Sequence, residues 1–592
     1  MADFSIKNDY SKDSIVIECF DKIIISCYRD DKRKCCAECI KNRFINTRKD
    51  RVEISKSNDC EVSEIYKPLI KGLITVISSE KELIDNYGRR KVFLFDKNDF
   101  SIKAEYVTAV PDCDVCSTLP EDSEELSDSV GLQLIDKIYG ADNIPFRSED
   151  CVDIAKRIEI IALNKDFGAI TTILDNYDSP FPIAVAMLPI SSGQDEPGTG
   201  RTSSIEKSRA IALLEAYERY AGFTPKSKEV NCFKSLNEIK AEKLNVISLD
   251  KLILNQDTVP NEFTYGKKKF VFLPDKKYHW VYGYDITEKK SLLIPESLAY
   301  YGIKLKGEEY RYELIAYEVS NGCSVGSNIE EAVYNGFLEV IERDAFLTCW
   351  YMDREITRII LDDEFYSTKS KLHTEIKQFN SFYNDYKLDI YEISLSCHIP
   401  VVLLTVTRKE TDKTKMNFMC AAAADENIYE AVRKALHEIS SIFIGLQEKF
   451  QESLESIAIK GNDFSLIKNM DDHSLVWGYY KNLDMITFAD QVKKTIRISD
   501  WNKEHMEYES LNSSFAAAVN ELSDQEKHVV FVDQTTEEMK QISMSCAKVF
   551  VPGLIPMTFG ADNIRISNER IKEVEKAEGR KVKIRFTPHP FP

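Results

Sequence analysis

The chain has 592 residues, 43% of them hydrophobic and 30% charged, with a net charge of −19 and no Lys/Arg-rich block. That balance describes a globular protein and excludes one built to grip a nucleic-acid backbone, whose phosphates this charge would repel. The sequence shows no run of 18 apolar residues and no signal peptide, so neither membrane insertion nor export is expected.

Near the N-terminus, "KCCAECIKNRF" supplies Cys36 and Cys39, and "PDCDVC" supplies Cys113 and Cys116. Each C-x-x-C pair can place two thiolates on one side of a tight turn. Two such turns complete a tetrahedral four-sulfur site, closed to water and therefore structural, with Zn²⁺ as the expected ion. Cys35, next to Cys36, leaves the membership of the first pair ambiguous, and core cysteines or a redox dithiol are the alternatives. The rest of the fifteen cysteines lie mostly singly in apolar runs, such as Cys349 in "FLTCWY" and Cys420 in "NFMCAAAA". That usage predicts reduced, buried thiols in a cytoplasmic protein.

Residues 118–130, "TLPEDSEELSDSV", are acidic and Ser-rich and read as a linker. Beyond them, buried-strand patterns such as "IAVAMLPI" and "PVVLLTV" alternate with the helical patterns "SIEKSRAIALLEAYERY", "IEEAVYNGFLEVIERDAFLTCW" and "NIYEAVRKALHEISSIF". The expected fold class is α/β or α+β. The expected organisation is a small zinc-binding, partner-docking domain over 1–117, an acidic linker over 118–144 and a large domain over 145–592.

The first helix is expected to open on Ser203 and Glu206, which have capping-box spacing. Glu215, Glu218 and Arg219 then share one of its faces. The second is expected to open on Asn328 and Glu331. Glu331, Asn335, Glu339 and Glu342 step along one stripe beside Arg343. One such stripe reads as a solvated charged face. Two helices repeating E-x-x-E-R point elsewhere, because facing carboxylates repel unless cations lie between them. Four glutamates are hard oxygen ligands of the kind Mg²⁺ takes, and Mg²⁺ commonly brings a nucleotide phosphate. Arg201, in "GTGRTSS", adds positive charge at a helix N-terminus already suited to anions.

Two generic motifs fail. "GQDEPGTG" lacks the lysine of a phosphate-binding loop. "GCSVG", residues 322–326, matches a nucleophile elbow only formally, since Ser324 stands several residues short of the Asn328 cap. The chain ends in "RFTPHPFP", with Pro588, Pro590 and Pro592 alternating to the carboxylate. Proline fixes φ, so this end reads as a short polyproline rod, or else as a solvated tail.

These residues together resemble the YcaO family, specifically the azoline-forming cyclodehydratases that modify ribosomally made peptides such as bacteriocins. The blocks that carry the resemblance are "GRTSSIEKSRAIALLEAYERY", "SNGCSVGSNIEEAVYNGFLEVIERDAF" and "VFVPGLIPMTFG", with the P-x-P-x-P ending, over roughly residues 145–592. The resemblance implies an ATP site between the two glutamate helices. Glu215, Glu218, Glu339 and Glu342 would hold Mg²⁺, while Glu331 and Arg343 would line the nucleotide and Arg147 would contact phosphate. Arg201 stands where the family often has Lys, Ser327 where some members have Asn, and Ile154 where Ser or Thr is common.

The implied reaction closes Cys, Ser or Thr onto the preceding carbonyl, with Pro588, Pro590 and Pro592 delivering the terminal carboxylate as a base or orienting group. On that expectation, changes at the terminus would spare the melting temperature. The region before 118 resembles part of an E1-like, ThiF-related domain. It is too short to include a leader-binding element, so the leader-binding protein is expected to be a separate partner. A homodimer is implied as well, and a following FMN-dependent azoline dehydrogenase is left open. Three alternatives remain: a family member forming thioamides or amidines, a non-catalytic scaffold that docks a precursor peptide, and a serine hydrolase.

Overall fold

The computed structural model describes residues 4–6, 14–19, 21–27, 35–48, 64–80, 83–190, 193–252, 270–367, 370–505 and 508–591. The N-terminal sheet is an antiparallel meander of Phe4–Ile6, Ser14–Cys19, Lys22–Cys27, Arg90–Asp96 and Ile102–Val107, in that order. Its β-branched runs "SIVIEC" and "KIIISC" are buried, as their strand propensity favours. Helix Ala37–Asn46 packs on one face of the sheet through Cys39, Ile40 and Phe44, and helix Lys67–Ser79 on the other through Ile70, Ile74 and Ile77.

Three further sheets build the large region. One joins Lys290–Pro295, Lys277–Asp285, Val530–Asp533, Ser545–Phe550 and Cys323–Gly326, with Cys232–Ser235 beside Lys277–Asp285. A second joins Phe418–Ala424, Val401–Arg408, Tyr386–Glu392, Ile356–Ile360 and Val492–Arg497, the last pair parallel and the others antiparallel. The third is the meander Thr172–Asn176, Ile183–Pro189, Asp195–Arg201. The architecture is mixed α/β, as expected.

Helix Ile329–Met352 is the spine of the largest core. From Asp344 to Met352 every residue is buried, so this half is surrounded by protein rather than amphipathic. Asp344 survives there because Arg570 Nε donates to its Oδ1 at 3.1 Å and Ile555 N donates to the same atom at 2.9 Å. An uncompensated carboxylate at that depth would cost several kcal/mol.

The stretch expected as a linker contains a helix, Glu124–Ile138. It is capped by Ser123, whose Oγ accepts from Leu126 N at 3.2 Å, and Leu134, Ile135 and Ile138 enter the main core. Of the quoted acidic residues, Glu124, Glu125 and Asp128 fall in its first turns, where Glu124 and Glu125 are exposed and suit the positive end of the helix, while Asp122 precedes it and pairs with Lys228 at 2.9 Å. The apolar repeat begins only where that stretch ends.

The strand Asp195–Arg201 lies almost on top of helix Ile205–Phe223. A Cβ added to Gly200 would fall 1.7 Å from Ser208 O, and one added to Gly198 would fall 2.4 Å from Ala212 O. Gly200→Ala should therefore push strand and helix apart. A loss of about 1–3 kcal/mol is expected for overpacking of this kind, read as a lower denaturation midpoint. An unchanged midpoint would show that the strand can yield.

Candidate active site

Two helices bring the predicted residues together, and a third joins them. Helix Ile205–Phe223 begins one residue later than expected. Ser204, not Ser203, is the cap, accepting from Lys207 N at 3.2 Å, because Thr202 Oγ1 donates to Ser204 O and fixes the turn one step on. Helix Ile329–Met352 begins as expected, with Asn328 Oδ1 accepting from Glu331 N at 2.8 Å. Helix Ile428–Glu452 brings Glu438 to the carboxylates of the second helix and to within 3.8 Å of Arg201.

On the first helix, Glu215 is held from two sides. Thr199 N donates to Oε2 at 2.8 Å and Arg219 Nη2 to Oε1 at 2.8 Å. The first of these bonds needs the close approach that Gly198 and Gly200 permit. On the second helix, Glu342 Oε2 accepts from Ala424 N at 3.0 Å, and Arg343 lies 3.6 Å from Glu339 and 3.8 Å from Glu342. Among the described residues none hydrogen-bonds the Glu218 carboxylate.

Burial, followed by the charges of Glu339 and Glu215, pushes the Glu218 carboxyl well above the usual range, with Arg219 opposing. Glu339 is raised by burial and by Glu438, against Arg343. Glu342 is pushed up to about 8 by burial, with Arg343 opposing and Glu438 and Glu339 adding to the rise. Carboxylates converging from three helices, with too few arginines among them, make a site that favours a multivalent cation.

This cluster separates two cavities. One, of about 730 Å³, is lined by Arg147, Thr199, Arg201, Glu215, Asn335, Arg433 and His437 among others. The other, of about 760 Å³, takes in Glu218, Arg219, Tyr301, Glu339, Arg343 and Phe559. Arg201, Glu215 and Glu438 line both. Arg147 reaches the first cavity through an ion pair of 2.6 Å with Glu331, whose other oxygen accepts from Ser327 Oγ at 2.7 Å. Ser324 lies within the strand Cys323–Gly326 and not on an elbow.

The third helix was legible as a helix but not as part of the site. Arg433 and His437, four apart on one face, are backed by Glu375 at 3.1 and 3.2 Å. That basic pair was the available signal. Glu438 belongs to no E-x-x-E-R repeat and gave none.

The C-terminus is not solvated over its described part. Trp350 Nε1 donates to Thr587 O and Trp477 Nε1 to Pro588 O, both at 2.9 Å, while Ser474 Oγ donates to Pro590 O at 3.2 Å. His589 and Phe591 are fully buried. The Phe591 ring packs on Phe346 at 4.8 Å and under the Arg343 guanidinium at 4.6 Å. Pro592 lies outside the described residues. The expectation that changes here leave the melting temperature untouched is corrected by Phe591, because removing a buried aromatic costs about 3–5 kcal/mol.

The four cysteines also meet. Cys36 Sγ is 3.9 Å from Cys39 Sγ and 3.6 Å from Cys113 Sγ, and Cys39 Sγ is 3.3 Å from Cys116 Sγ. Four sulfurs at about 2.3 Å from one tetrahedral ion would stand about 3.8 Å apart, so the set fits such an ion. Val110 N donates to Cys39 Sγ at 3.3 Å, which suits a thiolate, and burial pushes the Cys116 thiol up to about 11. Cys35 falls outside the four.

The family model described as "YcaO cyclodehydratase, ATP- and Mg²⁺-binding" matches residues 199–555, more than half of the sequence. The chain belongs to the YcaO family. Two solved structures share its fold. A heterocyclase in complex with substrate and cofactor is 16% identical, with 96% of this chain and 76% of that chain covered and a TM-score of 0.65. The heterocyclase TruD is 17% identical, with 100% and 75% covered and a TM-score of 0.58. A search of curated proteins finds no match.

His473 holds the terminal segment in place. Its Nδ1 donates to His589 O at 2.7 Å and its Nε2 accepts from Gly560 N at 2.8 Å, which requires a neutral ring. Burial pushes its pKa from 6.5 down to about 4, with the His589 carbonyl and Asp472 opposing. As pH falls from about 6.5 to about 4, the unfolded chain takes up a proton that the folded one refuses, so stability falls. The full shift is worth about 3 kcal/mol. Chemical denaturation of wild type and His473→Gln across that window should show the steeper slope in wild type; equal slopes would refute the assignment.

Proposed function

We propose that this YcaO protein is an ATP- and Mg²⁺-dependent cyclodehydratase that turns Cys, Ser or Thr residues of a ribosomally made peptide into azolines. The observation that carries the reading is the pair of cavities meeting at one cluster of half-buried glutamates. One cavity sets Arg147, Arg201, Arg433 and Lys434, suited to phosphates, among carboxylates suited to a bound cation, and the other has the mixed aromatic and polar lining suited to a peptide. Arg147, Arg201 and Arg433 would meet the phosphates. Glu215, Glu218, Glu339 and Glu342 would hold Mg²⁺, which neutralises phosphate charge when bound.

In the second cavity, the thiol or hydroxyl of the substrate adds to the preceding carbonyl. That addition closes the ring; the resulting oxygen takes the γ-phosphoryl group of ATP, ADP departs, and phosphate leaves as the amide nitrogen gives up its proton and the C=N bond of the azoline forms. Phe591, held under Arg343, supports a role for the following Pro592 carboxylate as the positioned base. The four-cysteine cluster would hold a structural zinc ion. Since leader recognition is assigned to a separate E1-like protein, the N-terminal module is the proposed docking face for it.

Incubation of a candidate precursor with the protein, its leader-binding partner and Mg-ATP should remove about 18 Da per ring, one water per closure. Glu342→Gln and Glu218→Gln should abolish this loss and ATP turnover together. Each puts a neutral amide where the fold, without a cation, already favours a protonated carboxyl, so the denaturation midpoint should hold or rise. Full ATP turnover in both variants would restore the solvated-face reading. Lengthening the chain by one residue after Pro592 should sharply reduce ring formation at an unchanged melting temperature, because a displacement of about 1 Å already costs about a hundredfold in rate. Deleting residues 590–592 should lower both.

A further inference from the structure

A second group of metal-ligating side chains lies outside the glutamate helices and the four-cysteine cluster. His279 is the third residue of the strand Lys277–Asp285, Glu296 follows the partner strand Lys290–Pro295, and Glu313 ends the helical turn Glu308–Glu313. Each of the three offers one ligand atom within 4.8 Å of the others. Glu313 Oε1 and Oε2 lie 2.8 and 3.0 Å from His279 Nδ1, and Oε2 also accepts from His279 N at 2.7 Å. Glu296 Oε1 pairs with Lys306 at 2.9 Å. Its Oε2, on a residue with no exposure at all, has no hydrogen-bond partner.

A buried carboxylate oxygen left without a partner costs free energy unless something absent from the protein atoms satisfies it. Phe233 and Tyr310 close over the imidazole at 4.6 and 5.4 Å and shelter the group. Donors around one ion at about 2.1 Å stand about 3 to 3.5 Å apart, close to the spacing of His279 and Glu313. We propose that His279, Glu296 and Glu313 form a site for a divalent transition-metal ion of the Zn²⁺ or Mn²⁺ class, which accepts mixed nitrogen and oxygen donors. The ion would bridge imidazole nitrogen and the two carboxylates, and Lys306 would keep Glu296 Oε1.

The placement suggests what the ion does. Glu296 and Glu313 bracket the segment that carries Tyr301, Gly302, Lys304 and Leu305, and these four line the second cavity. An ion shared by the two ends would fasten that wall to the strand bearing His279.

The test is metal analysis of the full chain purified with Zn²⁺ and dialysed against excess Mg²⁺, which competes for the glutamate helices. Wild type should retain about one more zinc per chain than His279→Ala and Glu296→Gln. Should either variant fail to fold, X-ray absorption at the zinc edge of wild type decides alone. A nitrogen/oxygen shell near 2.1 Å is expected, distinguishable from sulfur at about 2.3 Å in the cysteine cluster. Equal zinc content in folded variants, or a shell of sulfur alone, would overturn the assignment, whatever becomes of the cyclodehydratase reading.

Discussion

Repulsion among carboxylates is the constraint on which this structure turns. Glu215 and Glu218 from one helix, Glu339 and Glu342 from a second and Glu438 from a third converge, half-buried, between the two cavities. Charges a few ångströms apart in such surroundings repel by several kcal/mol. The fold answers with Arg219 and Arg343, with the backbone donors Thr199 N and Ala424 N, and with protons retained on the carboxyls themselves. None of these is as strong an answer as a divalent cation. The site is strained in the direction of its proposed ligand, and the two cavities open on either side of that strain.

The same helix that carries Glu215 and Glu218 is bolted to the four-cysteine module. Arg43, one turn beyond Cys39, is buried. Its Nη2 donates to Glu538 Oε1 at 2.6 Å, to Tyr220 OH at 3.2 Å and to Ala109 O at 2.9 Å. Tyr217 OH donates to the other oxygen of Glu538 at 2.8 Å. Tyr217 and Tyr220 flank Glu218 and stack on each other at 5.5 Å. A buried pair of this quality is weak evidence for stability but strong evidence for a fixed geometry, since removing one partner strands the other. The cysteine cluster therefore orients the helix capped by Cys36, and through Arg43 it orients the helix that carries Glu215 and Glu218.

Much of this was legible because it rests on local pattern. The two E-x-x-E-R helices, the four cysteines and the Asn328 cap follow from spacing alone. What escaped depended on tertiary partners. Ser204 displaced Ser203 as a cap because of the Thr202 hydroxyl, which no periodicity reveals. The helix Glu124–Ile138 was hidden by its own exposed acidic turns. Glu438 joined the glutamates only because the fold sets its helix beside Glu339, Glu342 and Arg201, and the cluster of His279, Glu296 and Glu313 assembles only when two strands pair. The role of the G-T-G stretch was also invisible, since its glycines matter for a helix that must lie within van der Waals reach of the strand.

The placement of the terminus follows from the helix Ile329–Met352, whose two halves do different work. Its first half presents Glu339, Glu342 and Arg343 to the cluster, and its buried second half receives the C-terminal segment through Phe346 and Trp350. At 1.5 Å of rise per residue, Glu342 and Phe346 are about 6 Å apart along one rigid axis. Phe591 is thus located against the same element that locates the glutamates, and Arg343 touches both, as the cation over the Phe591 ring and as the counter-charge to Glu339. A loose tail would gain nothing from alternate prolines. A tail gripped at the carbonyls of Thr587, Pro588 and Pro590 by Trp350, Trp477 and Ser474 gains from Pro588 and Pro590 a backbone with few conformations left to lose.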